Sequence, residues 1–310
     1  MSRQVYFNGQ YLPESDARLS LYDSSVCQSA AVFEMTRSFH GVHFKLREHL
    51  ERLHQSCDAI KISLSQSVDE LERICHDMTS RNDHGPGHEH RLMIVVSAGA
   101  ASIYRDLEGV INGPYLYVAD FPLFMTTAGL GRQFTEGGTA IISSIQQVPD
   151  ACVPSWAKHR SRLHFHLAQE EAKRRGADWA VLTQDIREES YIAECPGANI
   201  FFVEQDTLYT PESGCLLGIS RAYVVELAMA IGLPVVKTDI GTDAIPERAD
   251  EVFVTGTPFC MLPIVKLGDQ VIGDGTPGPV YKKLLTAWSN SVGVGIAEQI
   301  QAWDAVTVCH

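Results

Sequence analysis

Val181-Leu182-Thr183, Tyr191-Ile192-Ala193-Glu194, Gly197-Ala198-Asn199-Ile200-Phe201-Phe202-Val203, Leu208-Tyr209-Thr210-Pro211 and Leu217-Gly218-Ile219-Ser220-Arg221 are the runs whose reading decides the fold. Short apolar segments separated by turn residues predict a sheet with tight connections. Glu194 closes one of the strands, and Gly218 leads into a helix. The first N–H groups of a helix have no intrahelical acceptor, so a helix start is a ready anion site. An acid and an anion cradle around one sheet suit an aromatic, phosphorylated molecule held at its two ends.

Upstream, Asn8-Gly9 between apolar residues signals a hairpin over Val5 to Leu12. Ala31 to Phe39, with His40-Gly41 and His43-Phe44, reads as a second hairpin. The period then changes: Leu46, Leu50, Leu53, Cys57 and Ile60 share one helical face, and Val68, Leu71, Ile74, Cys75 and Met78 share another. Leu92 to Val96 and Tyr115 to Ala119 read as strands. Residues 1–120 are thus expected to form an α+β domain. Residues 121–133, with Pro122, Gly129 and Gly131, read as a linker loop, and 134–310 as a larger sheet-and-helix domain. Within the latter, Thr139 to Ser143 is an expected strand and Leu163 to Arg175 a helix stopped by Gly176. Val224 to Ile231 is another helix, Glu251 to Thr255 a buried strand, and Val280 to Trp288 the last helix.

The 310 residues, 45% apolar, are enough for a sizeable core in one large or two medium domains. A net charge of -13 argues against nucleic acid or an anionic membrane as partner. No apolar run reaches membrane-spanning length, and Met1-Ser2-Arg3-Gln4 has no signal-peptide core, so a cytoplasmic location is expected. Eight cysteines without C-x-x-C spacing argue against a disulfide framework or a zinc site.

Over about Val5 to Trp288 the chain resembles the class IV, or fold type IV, pyridoxal-phosphate enzymes. These include branched-chain aminotransferases, D-amino acid transaminases and aminodeoxychorismate lyase. The runs Glu194 to Phe202 and Leu217 to Arg221 carry the resemblance, together with Trp156-Ala157-Lys158-His159-Arg160-Ser161-Arg162. It implies a two-domain α+β and α/β fold, pyridoxal 5'-phosphate as cofactor, and a homodimer. It also implies a ping-pong transfer of an amino group, through a Schiff-base lysine, between an amino acid or amine and a 2-oxo acid. A lyase of the same fold is the alternative.

Residue by residue, Lys158 matches the Schiff-base lysine. Such a lysine must spend time as a neutral amine, which burial and the nearby Arg160 and Arg162 favour. Glu194 matches the carboxylate that keeps the pyridine nitrogen protonated, so that the ring can draw electrons from the substrate carbon. Asn199 stays in register, whereas Cys195-Pro196-Gly197-Ala198 departs from the family's Gly/Ser-rich stretch. Ile219, Ser220 and Thr257 match phosphate contacts, as does Arg52 in His49-Leu50-Glu51-Arg52-Leu53, and Phe33 is placed at the substrate.

Two departures concern the substrate carboxylate. Pro258 has no N–H where branched-chain enzymes have a backbone donor, and Val26 stands where the D-amino acid transaminase pattern has a tyrosine. Arg105 and Arg160 are the candidate replacements, because a guanidinium can grip a carboxylate with two bonds. Arg105 is favoured of the two because it lies in a Gly/Ala-rich segment after a strand, where a loop is expected.

Two other motifs lead elsewhere. Gly273-Asp274-Gly275-Thr276-Pro277-Gly278 matches G-x-G-x-x-G but lies near the C-terminus, contains a proline and lacks the acid that a dinucleotide site needs, so it reads as a loop before the last helix. His84, His88 and His90 stand with Gly85, Pro86 and Gly87 and read as a solvated loop. His164 and His166 are two apart on a helix and point apart, and no metal is expected.

Overall fold

Asn8 and Gly9 turn the chain with φ of 45° and 91°. Left-handed conformation at both central positions matches the twist of antiparallel strands. Accordingly β1 (Gln4–Phe7) folds back on β2 (Gln10–Pro13). The computed structural model describes residues 3–85, 87–186 and 188–307, so Met1, Ser2 and Pro86 lie outside the described residues. The chain divides into two compact units. One is Met1–Met125 with Ala157–Arg162; the other is Thr126–Trp156 with Leu163–His310. The division at Met125 falls inside the expected 121–133 linker. The short piece carrying Lys158, placed by sequence in the 134–310 domain, clusters instead with the first unit.

In the first unit, β1, β2, β3 (Ala31–Met35), β4 (His90–Ser97) and β5 (Tyr115–Pro122) form an antiparallel sheet in the order β2-β1-β5-β4-β3. The helices α1 (Leu46–Ala59) and α2 (Val68–Arg81) pack on it. Leu50, Leu53, Leu71 and Met78 meet Leu92, Ile94 and Val118 in one buried cluster. Burying each such side chain contributes ~1.5–3 kcal/mol. Ser67 and Glu70 close the start of α2 with a reciprocal capping box. The second hairpin is shorter than expected. Only Ser38–Phe39 and Val42–His43 pair, because β3 finds five partners along β4 instead.

That ribbon delivers His43 to a closed hydrogen-bond chain. Thr79 Oγ1 donates to the Cys75 carbonyl, and Thr36 Oγ1 accepts the Leu92 N–H. His43 therefore donates from Nε2 to Thr79 and accepts at Nδ1 from Thr36, each at 2.8 Å. Burial pushes His43 down to about 4 from 6.5, although Asp120 pulls the other way. The unfolded chain takes up this proton first, so the stabilisation is present above pH ~6.5 and disappears as pH falls toward ~4. We expect the unfolding free energy to drop by about 3 kcal/mol over that window. Chemical denaturation across pH should show it, and His43→Gln should flatten it. An unchanged slope in the variant would remove His43 as the cause.

In the second unit, β6 (Gly138–Ile142), β7 (Trp179–Val181), β8 (Asn199–Glu204), β9 (Thr207–Thr210), β10 (Val235–Lys237), β11 (Glu251–Gly256) and β12 (Cys260–Leu267) run in the order β10-β9-β8-β11-β12-β6-β7. The strands at both ends pair parallel and the centre is antiparallel. Phe201 and Phe253 stack across the centre, ring centroids 5.2 Å apart. Thr183–Ile186, Glu189–Ile192 and Ile240–Gly241 make a second, three-stranded sheet. The longer helices are α3 (Leu163–Arg174), α4 (Ile219–Ala230), α5 (Pro279–Val292) and α6 (Ile296–Thr307). The last of these follows the helix expected to be final. Its buried face is Ile296, Ile300 and Trp303. No described helix is long and apolar enough to cross a membrane.

Candidate active site

In the first unit the chain at Ala157–Arg162 adds itself to the free edge of β3. The Phe33 N–H donates to the Lys158 carbonyl at 2.9 Å, the Arg160 N–H donates to the Ala31 carbonyl at 2.9 Å, and Val32 and His159 form an antiparallel bridge. The Ser56 hydroxyl of α1 accepts the Lys158 N–H at 2.9 Å. In extended chain, alternate residues share a face. Lys158 Nζ, Arg160 Cζ and Arg162 Cζ consequently fan over one ring, that of Phe33, at 4.9, 4.0 and 5.6 Å from its centroid. A cation over an aromatic face is attracted by the ring quadrupole. Burial lowers the Arg160 pKa, and Tyr117 opposes that shift. The Met93 sulfur lies 3.0 Å from Arg160 Nη2, and no carboxylate of the described residues pairs with Arg160. Arg105 ends the short turn Ser102–Tyr104 and is exposed.

Arg52 projects from α1 onto β3, where Glu34 takes its guanidinium with both oxygens, Nε–Oε1 at 2.6 Å and Nη2–Oε2 at 2.9 Å. His49 Nδ1 lies 2.7 Å from Glu34 Oε2. Burial lowers the His49 pKa against the pull of Glu34, and Nδ1, facing a carboxylate oxygen, is the nitrogen that donates. Burial alone would raise the Glu34 pKa, but Arg52 and His49 outweigh it and hold the carboxyl well below its usual range. Sequence reading found Arg52 but not Glu34 or His49. The i, i+3 spacing of His49 and Arg52 on one helix face was the available signal.

In the second unit, Glu194 lies two residues beyond the strand Glu189–Ile192 and is 5% exposed. Leu182 and the chain at Ala193 and Glu194 exchange backbone bonds that fix its direction. Gln147 Nε2 donates to Glu194 Oε1 at 2.8 Å, and the Leu216 N–H donates to Oε2 at 3.2 Å. Gln147 was missed; it sits alone in an aperiodic stretch and carries no local signal. Cys195-Pro196-Gly197-Ala198, the departure from the family pattern, makes a tight turn with bonds both ways between Cys195 and Ala198. Pro196 precedes Gly197 at φ 80°, the arrangement a type II turn requires.

Asn199 braces the next turn by donating from Nδ2 to the Leu216 carbonyl at 2.8 Å. Gly218 then caps α4 without a side-chain bond. A Cβ there would lie 2.0 Å from Asn199 Oδ1, so any side chain at 218 would have to displace Asn199 from its bond to the Leu216 carbonyl. The opening N–H groups of α4, those of Ile219 and Ser220, thus have no helical acceptor and no capping side chain. Arg221 turns away, donating to Thr210 Oγ1 and the Pro211 carbonyl. Thr257 and Pro258 form the connection between β11 and β12. Thr255 Oγ1 donates to the Cys260 carbonyl at 2.6 Å and holds that connection closed. A buried acid fixed by two donors and an uncapped helix start fit the two ends of pyridoxal phosphate, the cofactor the resemblance implies.

The G-x-G-x-x-G loop offers no comparable seat. Glu251 of β11 already fills the start of α5, accepting the N–H groups of Val280 and Tyr281 at 2.8 Å each. The histidine loop is not solvated as expected. His84 and His90 turn inward onto Asp120.

A family model described as amino-transferase class IV matches residues 31–267. The branched-chain-amino-acid aminotransferase of Escherichia coli (strain K12) is 30% identical over 294 residues, 92% of this chain and 91% of that one. The putative branched-chain-amino-acid aminotransferase of Methanocaldococcus jannaschii is 28% identical over 283 residues, 91% and 93% of the two chains. The solved branched-chain amino acid aminotransferase of Escherichia coli is similar with a TM-score of 0.83 at 28% identity, over 94% of each chain. That of T.th., solved with pyridoxamine 5'-phosphate, has a TM-score of 0.83 at 28% identity, over 98% of each.

Proposed function

The chain belongs to the class IV aminotransferase family, and from that membership we propose that Lys158 is its covalent and proton-moving residue, Glu194 its ring-nitrogen partner, and Arg160 its grip on the carboxylate of an apolar amino acid. The protein is a pyridoxal-phosphate-dependent transaminase of fold type IV, moving an amino group between an amino acid or amine and a 2-oxo acid. When bound, the cofactor supplies the electron sink for this exchange. Lys158 attaches it and carries the proton at the substrate carbon. Ile219 and Ser220 donate backbone N–H groups to the phosphate, joined by Thr257 and Arg52. The Glu34–His49 pair holds Arg52 in one orientation.

The observation that carries the substrate reading is a half-buried Arg160, set over the same ring as Lys158, with no carboxylate among the described residues to pair with it. An incoming carboxylate gains two charge-assisted bonds there. Phe33, Val95, Met93 and Tyr117 pack together beside it, which favours an apolar donor, in line with the names of the branched-chain relatives. Arg160→Lys should lower kcat/KM for amino acids ~10-fold or more, because an ammonium cannot reproduce the fork. Amines without a carboxylate should be less affected, and Arg105→Lys should be neutral. A donor screen with 2-oxoglutarate and pyruvate as acceptors decides it. Equal losses for amines and amino acids would move the carboxylate elsewhere.

We propose further that the protein works as a homodimer. Leu21 and Ile103 are 78% and 80% exposed in the first unit. The segments carrying them are tied together by the Ala101 N–H to the Tyr22 carbonyl and by a tilted contact of the Tyr22 and Tyr104 rings, centroids 4.8 Å apart. Large apolar side chains left this exposed on two linked segments favour a cover. Light scattering should report twice the 34.2 kDa chain mass, and Ile103→Glu should shift it toward the monomer. A fully active wild-type monomer would refute the proposal.

A further inference from the structure

We propose that His84, His90 and Asp120 form a site for one divalent transition ion of the zinc type, at the end of the first unit's sheet. The three ligand atoms lie within 4.8 Å of one another. His90 opens β4 and Asp120 stands near the end of β5, two strands that pair antiparallel, so the backbone register brings them together. His84 reaches them from the loop before β4. Its side chain is 3% exposed, and Asp120 is fully buried. The arrangement is incomplete as hydrogen bonding. His90 Nδ1 bonds Asp120 Oδ2 at 2.8 Å, yet Asp120 Oδ1 has no partner among the described residues. His84 Nε2 sits 3.2 Å from Oδ2 without the alignment of a hydrogen bond. A buried orphan nitrogen and a buried orphan oxygen beside one another are costly unless something satisfies both.

A metal ion does so. Two ligands at about 2.0–2.1 Å from a tetrahedral centre lie roughly 3.3 Å apart. The His84–Asp120 separation already has that value, and the His90–Asp120 bond needs to open by about half an ångström. Two imidazoles and a carboxylate suit zinc, cobalt or nickel, and not magnesium or calcium, which take oxygen ligands. His43, whose ring is 6.3 Å from that of His90, is not a fourth ligand, because both its nitrogens are engaged by Thr36 and Thr79. The fourth position falls to water. The loop is held on both sides. Gly85 N–H turns back to Asp83 Oδ1, and Glu89 accepts from the His40 and Gly41 N–H groups. The bound ion clips the loop to β5, and none of its three ligands is among the residues assigned to transamination.

The test uses the full-length, cofactor-loaded protein stripped with a chelator and titrated with cobalt(II) and zinc. We expect one equivalent per chain, visible bands of a four-coordinate cobalt site, and a higher unfolding temperature. His84→Gln and Asp120→Asn should each weaken binding by at least the ~10²-fold that even an outer-shell partner can cost, and His88→Gln should not. X-ray absorption of zinc-loaded wild type should show two imidazoles, a readout that holds even where a variant fails to fold. A wild-type chain that takes up no ion, uptake unchanged in His84→Gln, or a shell without two imidazoles each overturns the site. The trio is then only a hydrogen-bonded ion pair.

Discussion

Lys158→Ala is expected to abolish the borohydride-trapped cofactor adduct and to lower transamination by about 10⁴-fold or more, because one residue supplies both the covalent link and the proton transfer. The fold should survive. Lys158 is held through its backbone, by the Ser56 hydroxyl and the Phe33 N–H, and alanine keeps both bonds. Reduction, digestion and mass spectrometry locate the adduct, while circular dichroism checks the fold. A pyridoxyl group on any other lysine in the wild type would show that the assignment is wrong.

Glu194→Gln should retain the trapped adduct but slow the proton-transfer half-reaction by about 10²-fold or more. The side chain loses the charge that favours a protonated ring nitrogen. It also meets a donor conflict. Gln147 Nε2 and the Leu216 N–H both point at the Glu194 oxygens, and a glutamine must turn its own NH₂ toward one of them. Leaving a buried donor unmatched costs ~1–3 kcal/mol, so thermal stability should fall together with the rate. Rapid-mixing absorbance of the first half-reaction separates the two effects. An unchanged half-reaction rate would exclude Glu194 from the ring nitrogen.

Much of the fold was legible where the signal is local. Asn8-Gly9 fixes a hairpin, the spacing of Leu46 to Cys57 fixes a helix, and Gly218 before Ile219 fixes a helix start. The helix Ile296–Thr307 was legible too, since Ile296, Ile300 and Trp303 keep helical spacing; it went unread behind Gly293 and Gly295. Partners far away in sequence could not be read. His84 looks like a loop residue until Asp120, on another strand, closes over it. Glu34 and Gln147 gain meaning only from Arg52 and Glu194. The run Lys158-His159-Arg160-Ser161-Arg162 places a cation at every second position, which is strand periodicity. Its partner, the edge of β3, lies more than a hundred residues earlier.

That pairing bears on how the chain is made. The β3 edge stays uncovered until residues 157–162 have left the ribosome. By then every other strand of its sheet, the last ending at Pro122, has already been synthesised. An open strand edge recruits other chains, and translation at ~5–20 residues per second leaves the edge bare for seconds. A recombinant fragment stopped at residue 125 would contain all five strands of the first unit's main sheet together with α1 and α2, and still carry that edge permanently. It should aggregate. A fragment with residues 156–162 joined back through a short linker should stay soluble, so the smallest independently folding piece of this half of the molecule is discontinuous in sequence.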